Sequence, residues 1–382
     1  MSGQAKKIDV RELDKNMNVE NSINTSLKWL SPFEQPFQIA GFPWIAKEGR
    51  YRRLPVSPAD PLPEAVDMLA DCTAGGQIRF RTNSSSLSIK VKLSGSGGVY
   101  HMAATGERGF DCYLGEPGSE QFWGTARFDP AKADYEALFY DWQMKREYCI
   151  TLYFPLYQGV DEVWIGIDLD ADLSEAPGFA CAKPVVLYGT SILQGGCASR
   201  PGMAYPAILS RAIPLEFVNL GFSGNGKGEP ELARTIAEIA DPALFVLDYE
   251  ANVASVEHMA STLPAFIRIL RESHPVVPIL VVSKIRYAKE RFDEGMLHMR
   301  EGCKQVQQET VERFTKEGDA NIHFYDGSKL LGDDFSECTV DGIHPTDLGF
   351  QRMAKSLELT IRELVKSFLQ LQTFCGEQEG RN

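Results

Sequence analysis

The sequence holds no C-x-x-C pair, although it has eight cysteines (Cys72, Cys112, Cys149, Cys181, Cys197, Cys303, Cys338 and Cys375) scattered along its length. That scatter is neither a disulfide framework nor a zinc-site spacing. No apolar run approaches the roughly 18 residues of a membrane span. Residues Met1 to Val10 (MSGQAKKIDV) also lack the apolar stretch of a signal-peptide core. A reducing, cytoplasmic setting is therefore expected. Basic side chains are in the minority, 39 Lys and Arg against 52 Asp and Glu, for a formal net charge of -13. Such a surface repels phosphate backbones and anionic headgroups, so no nucleic-acid partner and no membrane partner is expected. Internal repeats and low-complexity tracts are missing too, apart from a polar tail at 371–382 that is expected to be disordered.

What is there is the composition of an ordinary globular protein, 43% hydrophobic and 24% charged. At roughly 100 to 200 residues per domain, 382 residues predict two domains. All five tryptophans (Trp29, Trp44, Trp123, Trp142, Trp164) fall before residue 170, whereas the helix-period segments fall almost entirely after residue 200. The first half shows short alternating runs at Ile78–Arg81, Leu87–Leu93, Phe110–Leu114, Gln121–Phe128, Tyr148–Phe154 and Val163–Asp168, separated by Gly, Ser, Asn and Pro clusters. This pattern predicts an all-β sandwich, jelly-roll-like, over 20–170. Its tryptophans fit a sandwich core, or rings that stack on a sugar. A segment without periodicity, 171–183, reads as a linker.

From 184 to 370 apolar strands alternate with amphipathic helices. Strands are predicted at Pro184–Tyr188, Leu215–Leu220, Leu244–Asp248, Pro278–Ser283 and Asn321–Tyr325, and helices at Glu229–Ala240, Val256–Glu272, Lys289–Thr315 and Thr346–Leu369. Strands apolar throughout and joined by helices imply a parallel sheet covered on both faces, a three-layer α/β/α unit. Ligands gather at the carboxyl ends of such strands.

Four segments at those ends carry chemistry. Gly189-Thr-Ser191 follows the first strand, where a glycine turn can present a serine to solvent. Asp341-Gly-Ile-His344 precedes the last helix; an acid three residues before a histidine can fold back onto Nδ1-H and leave Nε2 free to take a proton. Gly224 after the second strand and Asn252 after the third could supply N–H donors to a developing oxyanion, together with the N–H of Ser191. Each segment taken singly also fits a plain turn, cap or loop.

In order, Gly189-Thr-Ser191, Gly224, Asn252 and Asp341-x-x-His344 resemble the four blocks of the SGNH (GDSL-type) hydrolase superfamily, each after the strand where that fold places it. Upstream, Gly109-Phe-Asp-Cys-Tyr113 resembles the Gly-x-Asp-Leu-Tyr motif of the β-sandwich domain that precedes some members. The resemblance implies Ser191 as nucleophile, His344 as general base and acid, and Asp341 as its orienter. It further implies an oxyanion hole of Ser191, Gly224 and Asn252. Departures are Thr190, where the family has aspartate, and Glu250 and Val253 at the ends of the third block. Glu250 is expected either to shape substrate choice as a substrate-binding residue or to turn away into an ion pair.

Two other motifs do not hold. Gly221 to Gly228 matches seven P-loop positions but lacks the final Ser or Thr and runs into acidic Glu229-Pro-Glu231. No Gly-x-Ser-x-Gly elbow occurs. The remaining histidines (His101, His258, His274, His298, His323) have no metal-ligand spacing and are expected to be surface or structural, so no metal and no cofactor is expected. The expectation is a serine esterase cleaving short-chain esters, acetyl foremost, of a carbohydrate or small metabolite. Alternatives are an acyltransferase using the same acyl-serine, or a non-catalytic glycan-binding protein. Oligomeric state is not legible.

Overall fold

The computed structural model describes residue 14 and residues 26–369, so the tail expected at 371–382 lies outside the described residues. Among the described residues fifteen strands follow in chain order. The first ten are β1 Leu27–Leu30, β2 Gln38–Ala40, β3 Gln77–Thr82, β4 Ser86–Leu93, β5 Asp111–Leu114, β6 Gln121–Thr125, β7 Asp134–Asp141, β8 Tyr148–Tyr153, β9 Val160–Asp168 and β10 Leu173–Ser174. They form two antiparallel sheets, ordered β1-β9-β4-β7 and β10-β3-β8-β5-β6, with β2 added beside β3. Alternate residues such as Ile89 and Val91 of one sheet and Ile78, Phe80, Ile150 and Leu152 of the other meet in a single buried cluster. This is the sandwich expected from the period-two runs. Three short helices lie in its loops: α1 Ile45–Glu48, α2 Glu64–Leu69 and α3 Ala104–Arg108.

Two differences from the sequence reading stand out. Leu173–Ser174, inside the expected linker, pairs with Thr82 and Arg81, and the Thr82 hydroxyl donates to Asp172 O at 2.6 Å. Strand β7 was not expected. A register shift opposite Leu87 and Ser88 breaks the alternation of Asp134–Asp141, so both Leu138 and Phe139 are half-buried while Tyr140 returns to the core.

The third sheet is parallel, ordered β12-β11-β13-β14-β15, from β11 Val185–Gly189, β12 Phe217–Gly221, β13 Leu244–Asp248, β14 Ile279–Val282 and β15 Ile322–Tyr325. Its helices are α4 Ser191–Gln194, α5 Tyr205–Ala212, α6 Pro230–Ala237, α7 Val256–Ser273, α8 Glu294–Lys316 and α9 Asp347–Leu369. Successive side chains of β11 point to opposite layers. Val185 and Leu187 join the cluster under α5 and α9, whereas Val186 and Tyr188 join the one under α6, α7 and α8. Both faces are covered, which is why the strands are apolar throughout. Connections leave β11 and β13 toward opposite faces, which makes the gap between their carboxyl ends the topological switch point, the usual ligand crevice. Among the described residues no helix is long and apolar enough to cross a membrane.

Candidate active site

Ser191 is the first residue of α4, directly beyond β11. The turn that places it needs Gly189, where a Cβ would meet Asp248 O at 2.4 Å. Thr190 is the N-cap: its backbone is extended and its hydroxyl accepts from Ile192 N at 3.3 Å. Thr190 thus caps the helix that opens with Ser191.

His344 faces Ser191 across the switch point. Its Nε2 lies 2.9 Å from Ser191 Oγ, and its Nδ1 lies 2.8 Å from Asp341 Oδ2. Gly342, at φ +87°, turns the chain back so that the other Asp341 oxygen accepts from His344 N at 2.8 Å and Ile343 N at 3.0 Å. Partial burial alone would raise the Asp341 pKa. The hydrogen bonds from the His344 backbone and ring and from Ile343 outweigh it and hold the carboxyl at about 2. An ionised Asp341 accepts the Nδ1 proton, and Nε2 is left to accept one from the serine hydroxyl.

The N–H of Ser191, at a helix start, and the N–H of Gly224 have no hydrogen-bond partner among the described residues. Gly224 is exposed at φ +64°, and Gln194, fully buried, fixes its neighbour by accepting from Ser223 N at 2.9 Å. Asn252 reaches the same loop, with its amide donating to Phe222 O at 3.2 Å and to Asn225 O. The structure therefore ties Asn252 to the loop that carries Gly224, with its amide turned onto the carbonyls of Phe222 and Asn225.

Glu250 is not brought to the crevice, which corrects its expected contact with substrate. It is 3% exposed, and one carboxylate oxygen accepts from Lys284 N at 2.8 Å and Gln307 Nε2 at 2.7 Å. Its other oxygen has no partner, and burial pushes its pKa up to about 7. The reason is local: Glu250 opens a 3-10 turn, Glu250–Asn252, whose first residue points back over β14 and α8. The P-loop-like segment is likewise taken up internally, since Glu229 accepts from Lys227 N at 2.8 Å and from the Tyr188 hydroxyl at 2.7 Å.

The N-terminal sandwich supplies one wall of the crevice. A cavity of about 640 Å³ opens beside His344, lined by Met68, Leu69, Val99, Met102 and Tyr157 from the first half and by Gly196 and Cys197 after α4, among others. His101, expected to be a surface or structural residue, stands in this wall. Its ring meets His344 edge-on at 5.2 Å and its Nε2 lies 3.8 Å from Asp341 Oδ2. No spacing in the sequence could have revealed it, because it arrives from the other domain.

The Gly109–Tyr113 motif holds that wall in place. Asp111, fully buried, accepts from Arg200 Nη1 and from Gly202 N, both at 2.8 Å, and Arg200 also donates to the Tyr113 hydroxyl at 2.7 Å. Burial raises the Asp111 pKa against the pull of Arg200. Close approach requires small residues here: a Cβ on Gly202 would meet the Tyr113 hydroxyl at 2.4 Å, and one on Gly106 would meet Ala198 O at 2.1 Å. A second fastening is Arg53, fully buried, which donates to the carbonyls of Leu69 and Cys72 in the sandwich half and of Asn219 and Gly221 at the end of β12.

Comparison with known proteins identifies the family and the fold. A model of the GDSL-like lipase/acylhydrolase family matches residues 182–362, and one of the N-terminus of SGNH-hydrolase-type esterases matches 27–173. Among solved structures, one described as a GDSL-like lipase from Bacteroides ovatus is 32% identical. That match covers 89% of this chain and 98% of the other, with a TM-score of 0.82. A salicylyl-acyltransferase from a tetracycline biosynthetic pathway is 19% identical over 90% of this chain and 98% of its own, with a TM-score of 0.73. A family two carbohydrate esterase from Cellvibrio japonicus is 12% identical over 89% and 98%, with a TM-score of 0.58. The last two are likenesses of fold. No curated protein sequence matches the chain.

Proposed function

The chain belongs to the GDSL-like lipase/acylhydrolase family, and from that premise we propose that it cleaves short-chain esters, acetyl foremost, through an acyl-Ser191 intermediate. The observation that carries this reading is the unbroken chain Ser191 Oγ to His344 Nε2 at 2.9 Å and His344 Nδ1 to Asp341 at 2.8 Å. In attack on the ester carbonyl, Oγ bonds to carbon while its proton passes to Nε2; the imidazolium is held by Asp341 and returns the proton to the departing alcohol. Water, activated by the same nitrogen, then releases the acid. The Ser191 and Gly224 N–H groups receive the oxyanion, and Asn252 acts either as a third donor or by fixing the Gly224 loop.

The cavity bears on the substrate. At about 640 Å³ it holds a whole small molecule rather than an acetyl group, so the alcohol part occupies it. Walls of Met68, Leu69, Val99 and Met102 suit an alcohol with an apolar face, which supports the small-metabolite arm of the reading over a polysaccharide. The ordered triad geometry argues against a glycan-binding protein that has lost its chemistry.

The test compares hydrolysis of p-nitrophenyl acetate, butyrate and octanoate by the wild type and by Ser191→Ala, with chelator present. Fastest turnover of acetate that vanishes in the variant supports the reading. Turnover that survives in Ser191→Ala overturns it. Added acceptor alcohols, by diverting the acyl group from water, would identify a transferase instead.

A further inference from the structure

His101, Cys197 and His344 present three metal-capable atoms that all lie within 4.8 Å of one another. Two come from the hydrolase half and one from the sandwich wall, and both imidazoles face the Asp341 carboxylate. Nδ1 of His101 is buried without a hydrogen-bond partner, while its Nε2 faces the Asp341 carboxylate at 3.8 Å. The carboxylate on the Nε2 side favours the proton there, which leaves the Nδ1 lone pair unused. His344 is prepared in the same sense, because its Nδ1–H donates to Asp341, and its Nε2 lone pair, now facing the Ser191 hydroxyl at 2.9 Å, is the one a metal would take. A carboxylate behind the imidazole is also the arrangement that orients histidine ligands in zinc proteins. Cys197 adds a thiol on the turn after α4, where Gly196 and Cys197 line the cavity and are reached through it.

We propose that His101, Cys197 and His344 form a zinc-binding site whose occupation draws His344 away from Ser191 and silences the enzyme. Two imidazoles and a thiolate are the ligand set of a borderline-soft divalent ion, with water in the fourth position. In a tetrahedral zinc site, with bonds of about 2.0–2.3 Å, ligand atoms sit roughly 3.5 Å apart. Side-chain rotation of about 1 Å closes the present cluster to that size. The thiol loses its proton to solvent on binding, since a coordinated cysteine is a thiolate. His344 Nε2 cannot hold the metal and accept the Ser191 proton at once, so binding and turnover exclude each other.

This inference rests on the proposed role of His344 only for its inhibitory half, and the experiment separates the two. Zinc binding is measured by competition with a chromophoric chelator, and cobalt binding by the thiolate-to-cobalt charge-transfer absorption, on Ser191→Ala protein, which needs no turnover. The site predicts one equivalent of metal, a charge-transfer band lost in Cys197→Ser, and zinc affinity weakened more than about tenfold in Cys197→Ser and in His101→Asn. With Ser191 intact, zinc inhibition of ester hydrolysis, scaled to each protein's own metal-free rate, shifts by the same factor. A band that persists in Cys197→Ser, or zinc affinity unchanged in both variants, overturns the site. Metal bound with that ligand dependence but without inhibition overturns its proposed effect on His344.

Discussion

Arg200, on the turn beyond the helix that opens with Ser191, donates to the carboxylate of Asp111 in the opposite domain at 2.8 Å, and Asp111 is fully buried there. The same carboxylate receives the N–H of Gly202. Asp111 thereby sets the path of residues 197–203, which form one edge of the crevice. Removing one partner of a buried pair leaves the other uncompensated. Asp111→Ala is expected to destabilise the protein by about 3–5 kcal/mol. Urea unfolding curves measure this; a loss below about 1 kcal/mol would show the clamp to be incidental.

Asp341→Asn should leave the backbone turn nearly intact but remove the charge that orients and supports the His344 ring. The expected result is a kcat lower by about 10³–10⁴, read with an activated acetate ester; an undiminished kcat would take Asp341 out of the mechanism. Stability gives a second check. The folded carboxyl, at about 2, sits below its ordinary value of 3.8, so its contribution is complete above 3.8 and is lost as pH falls through 2. Wild type and variant should therefore differ in stability at pH 7 and converge toward pH 2.

For Asn252 the expected loss is about 10²–10³ in kcat on substitution by alanine, whether its amide meets the oxyanion or holds the Gly224 loop. The two roles part in Asn252→Asp. An aspartate cannot donate to Phe222 O and Asn225 O, so a loop role predicts a fall in thermal stability alongside the fall in kcat, and a pure donor role predicts the second alone.

Glu250 should matter to stability and not to substrate choice. Its folded pKa of about 7 lies above the ordinary 4.5, so the native state holds the proton more tightly and stability falls as pH rises from 4.5 through 7. Glu250→Gln keeps an oxygen for Lys284 N and Gln307 and removes the buried charge. Thermal melts should show the variant gaining on the wild type between pH 5 and 8. A changed ranking of acyl-chain lengths in the variant would restore Glu250 to the substrate site.

The order of elements after residue 184 could be read from the chain because Ser191, Gly224 and Asn252 each sit within a few residues of the end of an apolar strand, and the strand dictates where they emerge, while Asp341 and His344 stand just before the last amphipathic helix. The direction of a side chain on a short turn is a different matter: nothing in Glu250-Ala-Asn252 says which of its two polar residues reaches the Gly224 loop, and it is the asparagine. Contacts between the halves were also hidden. His101, Arg53 and Tyr157 meet the hydrolase half only after both units have folded, and no local periodicity records such meetings. The β-bulge that blurred β7 acted in the same way, by breaking the alternation from which strands are read.

Arg53 spends all four of its hydrogen bonds on main-chain carbonyls, two from each half of the molecule, and no solvent reaches it. A hydrolase half separated from its sandwich would leave the carbonyls of Asn219 and Gly221 bare, a few residues before Gly224. The two halves therefore share one fastening: a foreign sandwich would have to bring an arginine to the corresponding place, or forfeit the backing of the loop that holds Gly224.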